Sequence, residues 1–311
     1  MQFERVLIEY LLELKLQNYS KRTIESYHSH NQKFIKFYEG EFKENPTVYN
    51  ISRMHYKRFI SELIDNDLKA TYINTILKSS KAFWQYLIRE QIVKENPLMQ
   101  IKLLKENKAV VTTFNDDEIK RMLNACKFET YLGARNKCII AVLVDTGIRV
   151  SELIAIKNSD ISEKYIKILG KGNKWRVVPI SNQLNYFLIK FRRIRDKHFS
   201  KMRNRYGNDR ILDDELFLSK TGKKLKSVEN IEIMIRDIGC EVNVRKTVRC
   251  SPHTFRHYWT VKNLQNNQDI YTISKLLGHS KLNTTQIYIN SITNEQLIEK
   301  AVLTSPLSSI L

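Results

Sequence analysis

The sequence predicts a mainly α-helical protein of two domains, with a small antiparallel β-sheet in the second domain. A length of 311 residues suits two domains. Apolar residues recur at helical spacing through most of the chain, and strand-like alternation appears only in its middle. Hydrophobic residues make up 42% of the chain, with only five prolines and nine glycines, which favours ordinary buried cores over long disordered tracts.

The first domain, residues 1–103, is predicted to contain four helices and no strand. Its first helix has an apolar stripe at helical spacing, and Ser20 or Thr23 can cap the second. Asn45-Pro46 interrupts the helices, and Glu95-Asn96-Pro97 ends the unit. The four predicted helices run over about 3–17, from 20 or 23 to 38, 52–65 and 71–91.

Residues 104–113 are predicted to be a linker between the two domains. Asn115 and Glu118 then have the spacing of a capping box, which marks the start of a new helix. The second domain is therefore assigned to residues 114–311.

The second domain is predicted to be α+β. The glycine-flanked turn Gly170-Lys171-Gly172-Asn173-Lys174 separates two strand-like segments, as in a hairpin, and its spacing is not that of a phosphate-binding P-loop. Helices are predicted near 115–126, 131–145, from 149, 183–205, 227–241, 252–266, 269–277, 283–290 and 293–303, and strands at 165–169, 175–180 and 215–219.

The net charge of +19 predicts a polyanionic partner. Nucleic acid is favoured, and an anionic membrane surface is the competing interpretation. No apolar run approaches the length of a membrane span, and the N-terminus does not have the shape of a signal peptide. Four cysteines without a C-x-x-C pair indicate reduced thiols, so we expect a cytoplasmic protein without membrane contact.

The residues with the most chemistry lie between positions 251 and 288. His253 and Arg256 are three apart, the run Leu277-Gly278-His279 follows, and Tyr288 comes nine residues later. Arginine and imidazole side chains hold phosphates and move protons, and a phenol is a possible nucleophile. The combination suits attack on a phosphodiester without a metal.

Each of these residues alone also fits a structural role. His253 and Arg256 share one face of a helix and could be a solvated helix start, and Tyr288 could be a core tyrosine. His253 and His257 have the i, i+4 spacing of zinc ligands, but no Glu follows His253 and no third ligand is evident. We therefore expect no metal and no other cofactor.

The ordered combination resembles the tyrosine recombinases, also called the phage integrase family. Their H-x-x-R, L-G-H and Tyr blocks match the residues above, and their T-G-hydrophobic-R-x-S-E-L block matches residues 146–153 around Arg149. The turn at 170–174 resembles the hairpin that carries the family's catalytic lysine. With a Ser20, Thr23, Tyr27 signature in the first domain, the resemblance spans nearly the whole chain.

The resemblance implies a role for each matched residue. Arg149 and Arg256 would neutralise charge on the non-bridging phosphate oxygens, and His279 would be a further donor. His253 would accept the proton of Tyr288 or donate to a phosphate oxygen. Tyr288 would attack phosphorus to form a 3′-phosphotyrosine, while Lys171, with Lys174 as the alternative, would protonate the departing 5′ oxygen. Neither ATP nor metal would be needed.

The resemblance also implies the partners. The helical core-DNA-binding domain and the catalytic domain would form a C-shaped clamp on duplex DNA. Four protomers would act on paired inverted core sites through a Holliday junction. The segment 293–303 would pack on its own domain or dock in a neighbouring protomer.

We expect the simple two-domain type without an arm-binding domain, encoded by a bacterium, a phage or a mobile element and associated with the nucleoid. Dimer resolution, cointegrate resolution and mobile-element integration or transposition all remain open. A recombinase-derived DNA-binding protein without catalysis and a swivelling, type IB topoisomerase-like activity are the alternatives. One departure is Asn267, where relatives often have glycine, but asparagine also tolerates a left-handed turn.

Overall fold

The computed structural model describes residues 1–106, 112–170, 174–206, 214–278 and 288, with side chains described only to residue 201 in the helix that ends at 206. The chain divides into two compact units, Met1–Lys108 and Ala109–Leu311. Helices dominate both units, and the described strands form one small sheet, so the predicted fold class is confirmed.

The described part of the N-terminal unit contains four helices, as predicted. Ser20 caps the second helix by accepting a hydrogen bond from the backbone N–H of Thr23. This helix runs four residues beyond its predicted end and stops where Lys43 adopts a left-handed conformation. The helices are α1 (Phe3–Leu16), α2 (Lys21–Phe42), α3 (Arg53–Asp65) and α4 (Ala70–Arg89).

Aromatic side chains form much of the N-terminal core. The rings of Phe34 and Tyr56 stack with their centroids 4.0 Å apart, and Trp84 Nε1 donates to Tyr56 Oη at 2.8 Å. Phe3 and Phe83 are fully buried beside them. The indole N–H is paired with the phenol oxygen, and the phenol also bonds with Ser80, so these large rings are buried with their polar groups paired.

The two ends of the predicted linker are each bound to one unit. Asn74 on α4 accepts from the backbone N–H of Leu104 at 2.8 Å and donates to its carbonyl at 2.9 Å. In the C-terminal unit, the Thr113 hydroxyl donates to the carbonyl of Thr254 at 3.2 Å. Residues 107–111, between these anchors, lie outside the described residues, so the position of the domain boundary stays a prediction.

The C-terminal unit places one antiparallel hairpin among helices. Strand β1 (Tyr165–Leu169) pairs with β2 (Trp175–Pro179), with Leu169 opposite Trp175. Arg149 is the N-cap of the short helix rather than its first residue. The helices are α5 (Asp116–Ala125), α6 (Tyr131–Thr146), α7 (Val150–Ile154), α8 (Asn182–Tyr206), α9 (Glu229–Glu241), α10 (Pro252–Gln265) and α11 (Ile270–Leu277).

The strand predicted at 215–219 is wrong. Glu215 and Leu218 each form only an isolated bridge, with Lys157 and Lys224 respectively. Leu216, Phe217 and Leu218 are nevertheless fully buried. An apolar run of this length can enter a core without pairing to a sheet, so the sequence pattern does not distinguish the two cases. The helices predicted at 283–290 and 293–303 lie outside the described residues, except for Tyr288.

Helix α6 is the central element of the C-terminal core. Its residues Cys138–Leu143 are all buried, and it packs on α8, α10 and α5. The helix ends at Gly147, which has φ +60 and whose N–H donates to Leu143 at 3.1 Å. This left-handed turn directs the chain towards Arg149. Asn267 also has a positive φ, of 63, as its residue type allows.

Within the described residues, no helix is long and apolar enough to cross a membrane.

We predict that Gly147→Ala destabilises the C-terminal unit by about 2 kcal/mol or more. A left-handed conformation costs a residue with a Cβ roughly 1–2 kcal/mol, and the added Cβ would lie 2.8 Å from Cδ2 of Trp259. Gly40→Ala is the matched control, because Gly40 lies inside α2 and its Cβ would meet nothing within 4 Å. That exchange should gain about 0.5–1 kcal/mol. Denaturant unfolding followed by circular dichroism measures both, and equal effects would contradict the prediction.

Candidate active site

Three segments of the C-terminal unit meet the last residues of α11. They are the N-cap of α7, strand β2 and the first half of α10. The turn at Gly147 delivers the first segment, and Ser251 caps α10 by accepting from the N–H of Thr254. These local features place Arg149, Arg176 and Arg256 around the C-terminal carbonyls of α11.

The carboxylate of Glu152 is the anchor of this group. Arg176 binds it with two parallel hydrogen bonds of 2.8 Å each. Arg149 adds a bond of 3.0 Å from its guanidinium and one of 2.9 Å from its backbone N–H. Burial raises the pKa of the Glu152 carboxyl, but the bonds from Arg176 and Arg149 outweigh it and hold the pKa below its usual value.

The guanidinium groups of Arg149 and Arg256 converge on one carbonyl oxygen. Arg256 Nη2 donates to Leu277 O at 2.8 Å, and Arg149 Nη1 donates to the same oxygen at 3.4 Å. Arg149 also contacts the carbonyl of Gly278 at 3.5 Å. The last carbonyls of a helix carry negative partial charge, which attracts cations. Two side chains 107 positions apart are therefore gathered at one point.

Arg256 is buried, and this makes its charge costly unless anions are close. Its Nη1 donates to the carbonyl of Gly147 at 2.8 Å, so it also fixes the turn before Arg149. Burial, followed by the positive charge of Arg149, lowers the pKa of Arg256 to about 10. The guanidinium stays protonated at neutral pH, and a bound anion would relieve the repulsion between the two arginines.

His253 lies one turn before Arg256 on α10. Its side chain is exposed. The atoms packed around it are nevertheless the largest cause of its lowered pKa, and the charges of Arg256, Arg249 and Arg149 lower the pKa further. Glu232 opposes this effect. At neutral pH the imidazole is therefore uncharged, so one ring nitrogen can donate a hydrogen bond and the other can accept one.

Tyr288 is buried in this region, with 4% of its surface exposed. Its hydroxyl is 2.5 Å from Nδ1 of His257, the residue directly after Arg256. Burial raises the pKa of the phenol, while Arg256 and a hydrogen bond with Thr260 act against this rise. The phenol therefore keeps its proton at neutral pH in this arrangement.

Two residues of the predicted site, Lys171 on the hairpin turn and His279 after Gly278, lie outside the described residues. Lys174 is described, is exposed, and closes the turn through a 2.9 Å bond from the N–H of Gly170 to its carbonyl. Gly278 has φ +66, and a Cβ there would lie 3.3 Å from three atoms of Arg176. Arg176 Nε also donates to Leu276 O at 2.8 Å, which joins the hairpin to α11.

The structure therefore brings together Arg149, His253, Arg256 and Tyr288 of the predicted set. It adds three residues to which sequence reasoning assigned no role in catalysis: Glu152, Arg176 and His257. Glu152 lies inside the matched block around Arg149, and Arg176 lies two positions after Lys174, so both could have been found by their nearness to matched positions. His257 was considered only as a metal ligand. In the described residues, no group of three His, Cys, Asp or Glu side chains could hold a metal ion.

Comparison with known proteins identifies the class. The sequence model of the phage integrase family matches residues 112–295, and that of the phage integrase N-terminal SAM-like domain matches residues 7–91. Tyrosine recombinase XerD of Oceanobacillus iheyensis is 30% identical over 271 residues, which cover 86% of this chain and 87% of the relative. Tyrosine recombinase XerD of Rickettsia prowazekii is 31% identical over 299 residues, covering 93% and 92%.

Solved structures have the same fold. A XerH site-specific recombinase bound to a palindromic difH substrate, in a post-cleavage complex, has a TM-score of 0.69 at 21% identity, covering 93% of this chain and 81% of XerH. A lambda integrase tetramer bound to a Holliday junction has a TM-score of 0.69 at 16% identity, covering 93% and 77%. The fold is that of a two-domain tyrosine recombinase. The chain belongs to the phage integrase family, and the resemblance predicted from the sequence is confirmed.

We predict that Arg176→Met costs about 3 kcal/mol of stability, because it removes two bonds from a buried carboxylate. Adding Glu152→Gln should recover part of this loss, since an amide needs no charged partner. Lys157→Met is the control, because Lys157 pairs with Asp214 at the surface of the same unit, and it should cost less than about 1 kcal/mol. Denaturant unfolding measures each variant. Strictly additive losses in the double variant would show that Arg176 does not act through Glu152.

Proposed function

We propose that this chain is a site-specific recombinase that cuts and rejoins duplex DNA through a 3′-phosphotyrosine. The observation that carries the proposal is the convergence of Arg149 and Arg256 on Leu277 O, with the phenol of Tyr288 buried beside Arg256. Two guanidiniums that share one partially negative oxygen can also share a phosphate. A phosphate offers them a full negative charge and two non-bridging oxygens.

Each residue of the site has one task in this mechanism. Arg149 and Arg256 hold the non-bridging oxygens and stabilise the charge that develops as phosphorus becomes five-coordinate. His253, neutral and beside Arg256, donates to a phosphate oxygen. His279, next to Gly278, is a further donor. Tyr288 attacks phosphorus, and the ester that forms keeps the bond energy for rejoining, so neither ATP nor metal is consumed.

Lys171 protonates the 5′ oxygen as it leaves. The strands β1 and β2 that flank it are described, and Arg176 fastens this hairpin to Glu152 and Leu276. The strands that precede and follow Lys171 are therefore attached to the same carboxylate and helix end as Arg149. Lys174, on the same turn, is the alternative acid.

The partners are double-stranded DNA and further copies of the chain. The charge of +19 and the helical N-terminal domain support DNA binding by both domains. The solved lambda integrase tetramer on a Holliday junction supports strand exchange by four protomers on two sites. The bacterial sources of the XerD relatives support action on chromosomal or mobile-element DNA in the cytoplasm. Exchange of C-terminal segments would hold neighbouring protomers together.

We predict that Tyr288→Phe retains DNA binding and forms no covalent adduct. Only the hydroxyl is removed, so the contacts that hold DNA are kept while the nucleophile is lost. The measurement uses a nicked suicide substrate carrying the target site, mapped first by footprinting on the DNA that flanks the gene. Adducts are resolved on a denaturing gel, with EDTA present.

A covalent adduct in the Tyr288→Phe variant would exclude this tyrosine as the nucleophile. Loss of wild-type cleavage in EDTA, with rescue by a divalent ion, would indicate a nuclease instead. DNA binding by the wild type without any adduct would favour a DNA-binding protein that lacks catalysis. Relaxation of supercoils without strand exchange would favour a topoisomerase.

We predict that Lys171→Ala slows cleavage about 100-fold or more, whereas Lys174→Ala changes it much less, as expected when a general acid is removed. A 5′-bridging phosphorothioate has a sulfur leaving group that needs no proton. This substrate should restore cleavage by Lys171→Ala but not by Arg149→Ala, because charge still develops at the non-bridging oxygens. Single-turnover cleavage rates measure the effect, and rescue of Lys174→Ala instead would assign the acid to Lys174.

A further inference from the structure

The contact between Tyr288 and His257 has no role in the mechanism above. The hydroxyl lies 2.5 Å from Nδ1, and the two ring centroids are 5.4 Å apart at an interplanar angle of 48°. The tyrosine is buried and the histidine is half-buried. The polar atoms of the two rings are therefore in contact in a region with little solvent, and a hydrogen bond is strong in such a region.

The protonation states of the two rings allow the phenol to donate this hydrogen bond. The phenol keeps its proton, since burial raises its pKa. Burial is the largest cause of the lowered pKa of His257, and the nearby His253 and Arg256 lower it further. Its imidazole is therefore neutral at neutral pH. A protonated phenol can donate to Nδ1 when the proton of the neutral imidazole is on Nε2. We assign this tautomer, because in it Nδ1 can take the phenol proton.

We propose that His257 is the general base that takes the proton from Tyr288 as its oxygen attacks phosphorus. This inference rests on the proposed function, because it assigns a partner to the nucleophile named there. A base must be within hydrogen-bond reach of the proton that it removes, and His257 Nδ1 meets this geometric requirement. The sequence does not indicate this contact between His257 and Tyr288, because 31 residues separate the two side chains.

The step balances without a further reactant. The bond between Tyr288 Oη and phosphorus forms, and the Oη–H bond breaks with its proton moving to His257 Nδ1. The bond from phosphorus to the 5′ oxygen breaks, and that oxygen takes a proton from the lysine of the hairpin. On rejoining, a 5′ hydroxyl attacks the phosphotyrosine and returns its proton to the lysine of the hairpin, and the His257 imidazolium returns its proton to the departing phenolate.

This assignment gives the two imidazoles on α10 different roles. His253 is surrounded by the positive charges of Arg256, Arg249 and Arg149, which are the groups that attract the phosphate. It is therefore suited to donate to a phosphate oxygen. His257 lies one position after Arg256 and contacts the phenol, so it is suited to the proton of the nucleophile.

The charges around His257 predict the direction of its pH dependence. His253 and Arg256 on the same helix disfavour the imidazolium, Thr260 contacts the phenol, and Tyr288 is the group that faces the ring. A bound phosphate adds negative charge and so favours the imidazolium during the reaction. The base works only when it is neutral at the start. Cleavage should therefore slow as pH falls through the pKa of His257.

The test compares His257→Asn and His257→Ala in single-turnover cleavage of the suicide substrate. Asparagine keeps a hydrogen-bonding atom near the Nδ1 position but cannot take a proton. Both variants should bind DNA like the wild type and cleave about 100-fold or more slowly, the low end for loss of a general base. His198→Asn is the matched control, since His198 stacks on Tyr131 elsewhere in the domain and should cleave at the wild-type rate.

A fluorinated tyrosine at position 288 gives a second readout. Its phenol ionises more readily and needs a base less, so it should restore much of the cleavage lost in His257→Asn. Wild-type rates in both His257 variants would overturn the inference while leaving the phosphotyrosine mechanism intact. Loss in His257→Ala with a wild-type rate in His257→Asn, or no rescue by fluorotyrosine, would overturn it in favour of a positioning role. Failure of the wild type to form any adduct would instead overturn the proposed function.

Discussion

The buried carboxylate of Glu152 is the interaction on which the rest of the site depends. It accepts bonds from Arg176 on β2 and from the backbone and guanidinium of Arg149 at the start of α7. A buried carboxylate requires charged partners, and removing one of them costs far more than losing a surface pair. The requirement ties the hairpin to the α7 N-cap. Glu152 therefore holds Arg149 and the hairpin together, although 24 residues separate Glu152 from Arg176.

The second constraint is the end of α11. Its last carbonyls bind Arg176 through Leu276, and both Arg149 and Arg256 through Leu277. The glycine that follows takes a left-handed turn, and any side chain there would press on Arg176. The L-G part of the L-G-H block thus has a physical reason. The helix ends here, its last carbonyls bind three arginines, and glycine takes the left-handed turn without strain.

The sequence predicts the parts of the site that are local or that match a known block. Helical periodicity predicts most of the helices because one face of each packs on a core, and the matched blocks predict Arg149, His253, Arg256 and Tyr288. The contacts of Arg176 with Glu152 and of His257 with Tyr288 cross 24 and 31 residues, and helical periodicity does not predict such contacts. The prediction of a strand at 215–219 is wrong for a related reason. A buried segment is apolar whether or not it pairs with another strand, so the pattern does not distinguish the two cases.

Proton movement in this site is limited by positive charge. In the proposed mechanism Arg149 and Arg256 hold a phosphate. Arg256 disfavours a cation on His253 and on His257, Arg149 disfavours one on His253, and Arg256 itself has a lowered pKa. An imidazole in this setting is a weak base until an anion arrives. In the proposed mechanism, substrate binding supplies that anion and strengthens the base when the phenol must lose its proton. The proposal therefore couples deprotonation of Tyr288 to occupation of the phosphate site, and the buried phenol keeps its proton in the absence of DNA.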